Sequence, residues 1–220
     1  PHAEIIHIDI DPGAIARNVA VEIPIVGDAR QILEELYPIL EPPQADEWRK
    51  EVMKLKAVFP LPEGENGDTI APQQVVKAIS EVFPDAIIAT EVGQNQMFSA
   101  LYYNYTKPRT ILTSGGLGTM GYGFPAAIGA QMGNRDKTVI DIAGDGSIQM
   151  NIQELATAVQ EGLPVIVAIL NNGYLGMVRQ WQQIFKDSRY AITCLMKKPG
   201  CASNRAPHCF PKSKKQVRRM

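Results

Sequence analysis

Apolar residues recur along the chain in two alternating periods. The run Ile5-Ile6-His7-Ile8-Asp9-Ile10 predicts a strand over residues 4–10, and Asp11-Pro12-Gly13 a turn. A short strand follows at Ile23 to Val26, then Gly27-Asp28 opens a helix through Leu40 that Glu41-Pro42-Pro43 ends. A charged helix over 45–57 and the run Pro60 to Gly67 read as a linker, with a domain boundary near residue 60. From Thr69 the periods alternate: helix 72–82, strand 86–90, helix 93–103, strand 110–113, a glycine loop and helix 123–132. Strand 137–142, helix 151–161, strand 164–170 and helix 174–185 complete the pattern.

Strands and helices alternating at these lengths predict an α/β fold, a doubly wound parallel sheet. Such sheets bind their ligands at the carboxyl ends of the strands, so the loops after Ile88, Thr113, Ile142 and Leu170 are where chemistry is to be sought. No internal repeat is evident.

With 220 residues, 45% hydrophobic and 20% charged, the composition is that of a soluble globular protein, and no apolar run is long enough to cross a membrane. The chain starts at Pro1 and is almost at once in a core strand, so it reads as a fragment that begins inside a domain. No secretory leader opens it, the three cysteines suggest no disulfide framework, and a cytoplasmic setting is expected. Up to Asp187 there are 13 Lys and Arg against 23 Asp and Glu, a net charge of −10; from Ser188 onward nine basic residues and no acidic one give +9. That basic tail has few aromatics and no helical or strand period, so nucleic-acid binding is not expected. Cys194, Cys201, His208 and Cys209 lack the paired close spacings of a zinc site.

The segment "SGGLGTMGYGFPAAIGA", residues 114–130, carries Gly116-x-Gly118-x-x-Gly121 after an apolar run, the spacing of a dinucleotide-binding fingerprint. Asp141, 20 residues beyond Gly121, stands where that fingerprint wants its acid. A second feature competes with this reading. Strand 137–142 runs into Ala143-Gly144-Asp145-Gly146-Ser147, and 24 residues after Gly146 the next strand ends in Asn171-Asn172-Gly173-Tyr174. Both loops leave the same edge of the sheet. A carboxylate between glycines and an amide oxygen are hard ligands suited to Mg²⁺ or Ca²⁺, with positions left for diphosphate oxygens. The backbone N–H groups of Gly146 and Ser147, near the start of the following helix, would meet that anion.

Gly144-Asp145-Gly146 followed by Asn171-Asn172 resembles the thiamine diphosphate motif. With "IAGDGSIQMNIQELATAVQ" and "ILNNGYLGMVRQWQ" around it, the chain over residues 4–198 resembles the large, catalytic subunits of the acetolactate synthase family. The resemblance accounts for the paired loops, which a dehydrogenase reading leaves unexplained. It implies a thiamine diphosphate-binding fold over residues 61–198, incomplete, preceded over 1–60 by the end of a Rossmann-like, FAD-associated middle domain. Asp145 and Asn172 become Mg²⁺ ligands, with the Tyr174 carbonyl as a third. Gln94 and Asn95, in "EVGQNQ", match a segment that contacts the diphosphate, although Asn95 replaces the commoner histidine. Gly118, Gly144, Gly146 and Ser147 fall in the cofactor loops. Met120 is the bulky residue that supports the bent cofactor, Met177, Val178 and Trp181 line the substrate pocket, and Asp9 and Asp28 lie near the FAD.

The activity so implied joins pyruvate, after decarboxylation, to a second 2-keto acid, pyruvate or 2-ketobutyrate, at the start of branched-chain amino acid biosynthesis. The resemblance implies a homodimer or higher oligomer of the full-length chain, with a small regulatory subunit as a further partner. The glutamate that activates the cofactor is expected in an amino-terminal domain, so no catalytic residue is assigned within these 220 residues. A related carboligase or decarboxylase and an inactive truncated remnant are the other readings. Residues 199–220, "PGCASNRAPHCFPKSKKQVRRM", match nothing in the family, and a shifted reading frame is the expected origin.

Overall fold

The computed structural model describes residues 3–42, 44–64 and 69–195. The tail over 199–220, and with it Cys201, His208 and Cys209, lies outside the described residues. Two compact units succeed each other along the chain, meeting at Leu61 and Pro62.

In the first unit β1 (Ile6–Asp9) pairs in parallel with β2 (Ile23–Val26), from Ile6 opposite Ile23 to Asp9 opposite Val26. Helix α1 (Ala29–Leu36) starts at Asp28, whose carboxylate accepts from the N–H groups of Arg30 and Gln31. Such a cap satisfies two of the four donors that a helix start leaves unpaired. The helix predicted to run through Leu40 stops at Leu36 and tightens into a 3₁₀ turn over Tyr37–Ile39. Pro38 is the reason, since it has no N–H to continue the α-helical ladder. Helix α2 (Asp46–Val58) follows.

The second unit is the doubly wound sheet. Pro72, whose missing N–H costs nothing at a first helical position, opens α3 (Pro72–Val82). Then come β3 (Ile87–Thr90), α4 (Gln94–Tyr102), β4 (Ile111–Thr113), α5 (Gly123–Gly133), β5 (Val139–Gly144), α6 (Leu155–Gln160), β6 (Ile166–Leu170) and α7 (Gly176–Phe185). The strands are parallel, in the order β4-β3-β5-β6. Strands β3 and β5 are buried along their length, as expected of central strands covered on both faces. Alternation divides their side chains. Ile88, Ile140 and Ile142 pack with Val76 of α3 and Phe98 and Tyr102 of α4. Ile87, Ala89 and Val139 pack with Ala127 of α5, and Ala143 joins Phe124, Ile128 and Ala158 on that same side.

Near the loops of interest, element boundaries differ from expectation in three ways that bear on the site. Strand β5 continues two residues beyond Ile142, because Gly144 still pairs with Leu170. The helix predicted over 151–161 is a 3₁₀ segment, Ile148–Glu154, followed by the short α6. Asn151 breaks it, with φ −132° and ψ 35°, while its Nδ2 donates to Gly121 O at 2.7 Å. A side chain of this type competes with the helix for backbone partners. Helix α7 begins at Gly176 rather than 174, because Tyr174 is held in an antiparallel bridge with Cys194.

Candidate functional site

The last rungs of β5 and β6, Gly144 opposite Leu170, bring two loops out of the sheet side by side. Asp145 follows directly on one strand and Asn171-Asn172 on the other. Gly173 N–H donates to Asp145 Oδ2 at 3.0 Å, and Asn172 N–H lies 3.4 Å from Oδ1. Asn172 Oδ1 accepts from Tyr174 N–H at 2.9 Å, and Asn172 Nδ2 reaches Gln94 Oε1 at 3.5 Å. Gln94 in turn donates to Gln180 of α7 at 3.2 Å. Asp145, Asn172 and Gln94 therefore form one connected group, contributed by three loops at the carboxyl edge of the sheet.

Segment 193–195 runs along 173–175, with Leu175 N–H donating to Thr193 O at 2.8 Å and Leu195 N–H to Gly173 O at 2.9 Å. In extended chain the N–H and C=O of one residue point to the same side, so the Tyr174 carbonyl faces away from this ladder, the way its N–H faces Asn172. Behind it the Arg179 guanidinium lies between the Tyr174 ring, at 4.4 Å, and the Tyr190 ring, at 3.9 Å. That stack fixes α7 against the loop.

Two glycines let these parts meet. A Cβ on Gly146 would stand 2.7 Å from Leu175 Cδ2, and one on Gly176 would fall onto Gln94 Oε1. Gly176 and Gln180 are members of the group that sequence reasoning missed. The Gly-Met start of α7 was the signal, since glycine opening a helix often marks a close approach.

A divalent cation fits the donor set. One carboxylate, one amide oxygen and one carbonyl are hard oxygen ligands, and among the described residues no basic side chain pairs with Asp145. No cluster of three or more His, Cys, Asp or Glu able to hold a metal occurs among the described residues.

The other predicted residues are distributed as follows. Ser147 is buried, and its hydroxyl pairs with both N–H and C=O of Gly144, at 3.2 and 3.3 Å, tightening the turn around Asp145. Asn95 is also buried; its Nδ2 donates to Glu91 O at 2.8 Å and Ile142 O at 2.9 Å, so it ties β3 to β5 immediately behind the loops. Gly118 lies in the exposed loop after β4 with φ +64°, a conformation open to glycine, and its N–H donates to Ser114 O. Met120 is half-buried at the far end of that loop. On α7, Val178 and Trp181 share an exposed stripe with Phe185, on which Trp181 stacks at 5.1 Å, and Met177 is half-buried. Asp9 and Asp28 belong to the first unit, at the carboxyl ends of its paired strands, where Asp9 accepts from Asp11 N–H and Asp28 caps α1.

Glu91 and Asp141 carry an unforeseen relationship. Both are buried completely. Glu91 Oε2 accepts from Gly121 N–H at 2.7 Å and Oε1 from Phe124 N–H at 3.0 Å. Burial pushes the Glu91 carboxyl above its ordinary range, against these donors, which pull it down. Asp141 has no hydrogen-bond partner, and burial, with the Glu91 charge adding to it, pushes its carboxyl up to about 8. An acid sealed in the middle of β5 is not placed to receive a ribose, which removes the dinucleotide fingerprint reading.

A parallel α/β sheet that brings an oxygen-donor pair and a glycine turn together at its carboxyl edge has the form of a phosphate-ligand binding domain. The chain belongs to the thiamine pyrophosphate enzymes: residues 91–203 match "Thiamine pyrophosphate enzyme, C-terminal TPP binding domain", and residues 1–36 match "Thiamine pyrophosphate enzyme, central domain". Thiamine diphosphate is the cofactor of that family's C-terminal domain. Among curated proteins the chain is similar to the acetolactate synthase large subunit of Haemophilus influenzae, 46% identical over 209 residues, which cover 92% of this chain and 36% of that protein. It is similar to the large subunit of Corynebacterium glutamicum, 51% identical over 202 residues (89% and 32%), and to the chloroplastic acetolactate synthase of Arabidopsis thaliana, 47% identical over 201 (88% and 30%). The chain thus spans about a third of the length of these relatives. No helix among the described residues is long and apolar enough to cross a membrane.

Proposed function

We propose that this chain is the cation-and-diphosphate half of an acetolactate synthase. The observation that carries the reading is the pairing of Asp145 with the Asn172 loop, in register at the ends of β5 and β6 and without a basic partner, in a chain that keeps 46% identity to such a synthase. Asp145, Asn172 and the Tyr174 carbonyl would hold Mg²⁺, which would supply positive charge to offset that of a diphosphate. Gly144, Gly146 and Ser147 shape the turn whose N–H groups meet the diphosphate, and Gln94 orients Asn172 from the side. When bound, thiamine diphosphate supplies a nucleophilic carbon and an electron sink for decarboxylating a 2-keto acid.

The Met120 side chain supports the cofactor from the glycine loop that also contains Gly118. Met177, Val178 and Trp181 form the apolar wall against which the second keto acid, pyruvate or 2-ketobutyrate, is oriented. Asn95 acts from behind by fixing the ends of β3 and β5. In the first unit Asp9 and Asp28 face FAD, which has a structural role. Residues 1–60 are the end of the FAD-associated domain and 61–198 an incomplete thiamine diphosphate-binding domain; the protein is a cytoplasmic homo-oligomer served by a regulatory small subunit. The base that activates the cofactor lies in a part of the protein beyond these 220 residues.

The test is a chimera in which residues 1–198 replace the matching segment of the Haemophilus influenzae large subunit. Supplied with thiamine diphosphate, Mg²⁺, FAD and pyruvate, it is expected to form acetolactate. A folded chimera that binds the cofactor and decarboxylates pyruvate without ligating it to a second keto acid would overturn the reading.

A further inference from the structure

The peptide units on either side of Gly121 are held from two directions. Gly121 N–H donates to Glu91 Oε2 at 2.7 Å, and Gly121 O accepts from Asn151 Nδ2 at 2.7 Å. Gly121 has φ +87°, and a Cβ there would stand 2.8 Å from both Asn151 Nδ2 and Met150 Cβ, so the position admits only glycine without rearrangement. Three residues on, Phe124 N–H donates to the other carboxylate oxygen at 3.0 Å. One side chain at the end of β3 thus grips both the exit of the glycine loop and the first turn of α5, where N–H groups have no helical partner and a negative charge is favoured. Met120 is the residue immediately before this clamp.

We propose that Glu91 is a positioning residue for the cofactor site: by holding the Gly121 and Phe124 N–H groups it fixes the backbone that presents Met120. The proposal rests on the reading that Met120 supports thiamine diphosphate. Glu91 itself is completely buried, with both carboxylate oxygens held by backbone N–H groups, and touches no reacting atom.

Asp141 explains why the grip is carried by Glu91 alone. Its Oδ1 lies against the same turn, 2.5 Å from where a Cβ on Gly123 would be, yet neither of its oxygens accepts a hydrogen bond. The turn's N–H groups are spent on Glu91, so of two buried acids only one has donors to offset its burial, while the other, without any, is pushed up to about 8.

Amide hydrogen exchange on the 220-residue chain, followed by mass spectrometry, tests the proposal. Replacing the carboxylate by an amide, Glu91→Gln, removes one acceptor and the charge, and peptides covering 114–124 are expected to exchange at least ~10-fold faster while β3 and β5 keep their protection. A role in general stability would instead accelerate all slowly exchanging amides together. Uniform acceleration, or no change over 114–124, overturns the proposal. Glu91→Asp keeps the charge one methylene short of the clamp, and serves if Glu91→Gln does not fold: the same selective loosening is expected, and its absence equally overturns the proposal. The cofactor reading has its own arm. Thiamine diphosphate with Mg²⁺ is expected to slow exchange over 144–147 and 171–174 in the unmodified chain. If it does not, while the variant still loosens 114–124 selectively, the cofactor assignment fails and the backbone clamp stands.

Discussion

Gly173 N–H donates to Asp145 Oδ2 across 28 positions of sequence, so the loop after β6 is oriented by the one carboxylate in the loop after β5. A carboxylate that meets only backbone donors here remains available to a cation. Asp145→Ala removes both the metal ligand and the tie between loops. Thiamine diphosphate binding to the chain, measured by titration calorimetry, is expected to lose its dependence on Mg²⁺, with affinity at saturating Mg²⁺ falling at least ~10-fold. Asp145→Asn, which keeps an oxygen without the charge, should fall between the two. Unchanged Mg²⁺ dependence in Asp145→Ala would remove Asp145 from the ligand set.

Gly123 packs where α5 meets the ends of β3 and β5. A Cβ there would lie 2.5 Å from Asp141 Oδ1 and from the Glu91 backbone nitrogen, and 2.6 Å from the Thr90 carbonyl carbon. Backbone atoms of a central strand cannot give way cheaply. Gly123→Ala is expected to destabilise by about 2–4 kcal/mol, as overpacking with backbone displacement does. A methyl added at Gly129 in the same helix would meet nothing within 4 Å, so Gly129→Ala should stabilise by up to ~1 kcal/mol. Urea unfolding of the two variants checks the pair; equal effects would contradict the close approach at Gly123.

Asp141 makes stability fall as pH rises. Its carboxyl is pushed up to about 8 in the folded chain from an ordinary 3.8, so between those values the folded state binds more protons than the unfolded. Stability is therefore greatest below pH 4 as far as this group is concerned, and is lost progressively as pH climbs through 8. Asp141→Asn is expected to leave the melting temperature at pH 4 nearly unchanged. At pH 8 it should raise stability by about 1–3 kcal/mol, which for a chain of this size is several degrees. Parallel pH profiles for the two proteins would show that Asp141 does not titrate with folding.

Much of this was legible in the sequence, for a definite reason. The end of β6 at Leu170 was readable, and that of β5 to within two residues, because apolar runs of central strands end near glycine and asparagine, and the two loops then share an edge whatever the details. Asp145 and Asn172 meet as that reasoning expected. Asp141 was misleading because its spacing from Gly121 placed it as the fingerprint's acid near a strand end, whereas β5 runs on to Gly144 and leaves it in the middle of a buried strand. The Glu91 clamp was not legible. Its partners are backbone N–H groups 30 and 33 positions away, and backbone donors leave no trace in residue type. Nor could periodicity place Trp181: its spacing with Met177 and Ile184 fits a buried helix face, yet it is 62% exposed.

That exposure separates the two roles open to Trp181. A tryptophan packed in the core costs about 3–5 kcal/mol when truncated, whereas one lying on an open face beside Phe185 has little packing to lose. Trp181→Leu should therefore shift the melting temperature of the chain by only ~1–2 °C. In the chimera with the Haemophilus influenzae large subunit the same change should act on product choice, because Trp181 and Val178 lie on one face of α7, next to the loop that carries Asn172. A pocket wall reduced from an indole to an isobutyl group gains less from the additional methyl of 2-ketobutyrate, and one methylene is worth ~1–3 kcal/mol at most. With pyruvate and 2-ketobutyrate competing, the share of 2-aceto-2-hydroxybutyrate should drop while acetolactate formation continues. A product ratio that stays fixed in a stable, active variant would make Trp181 a surface residue of α7 and move the acceptor pocket elsewhere.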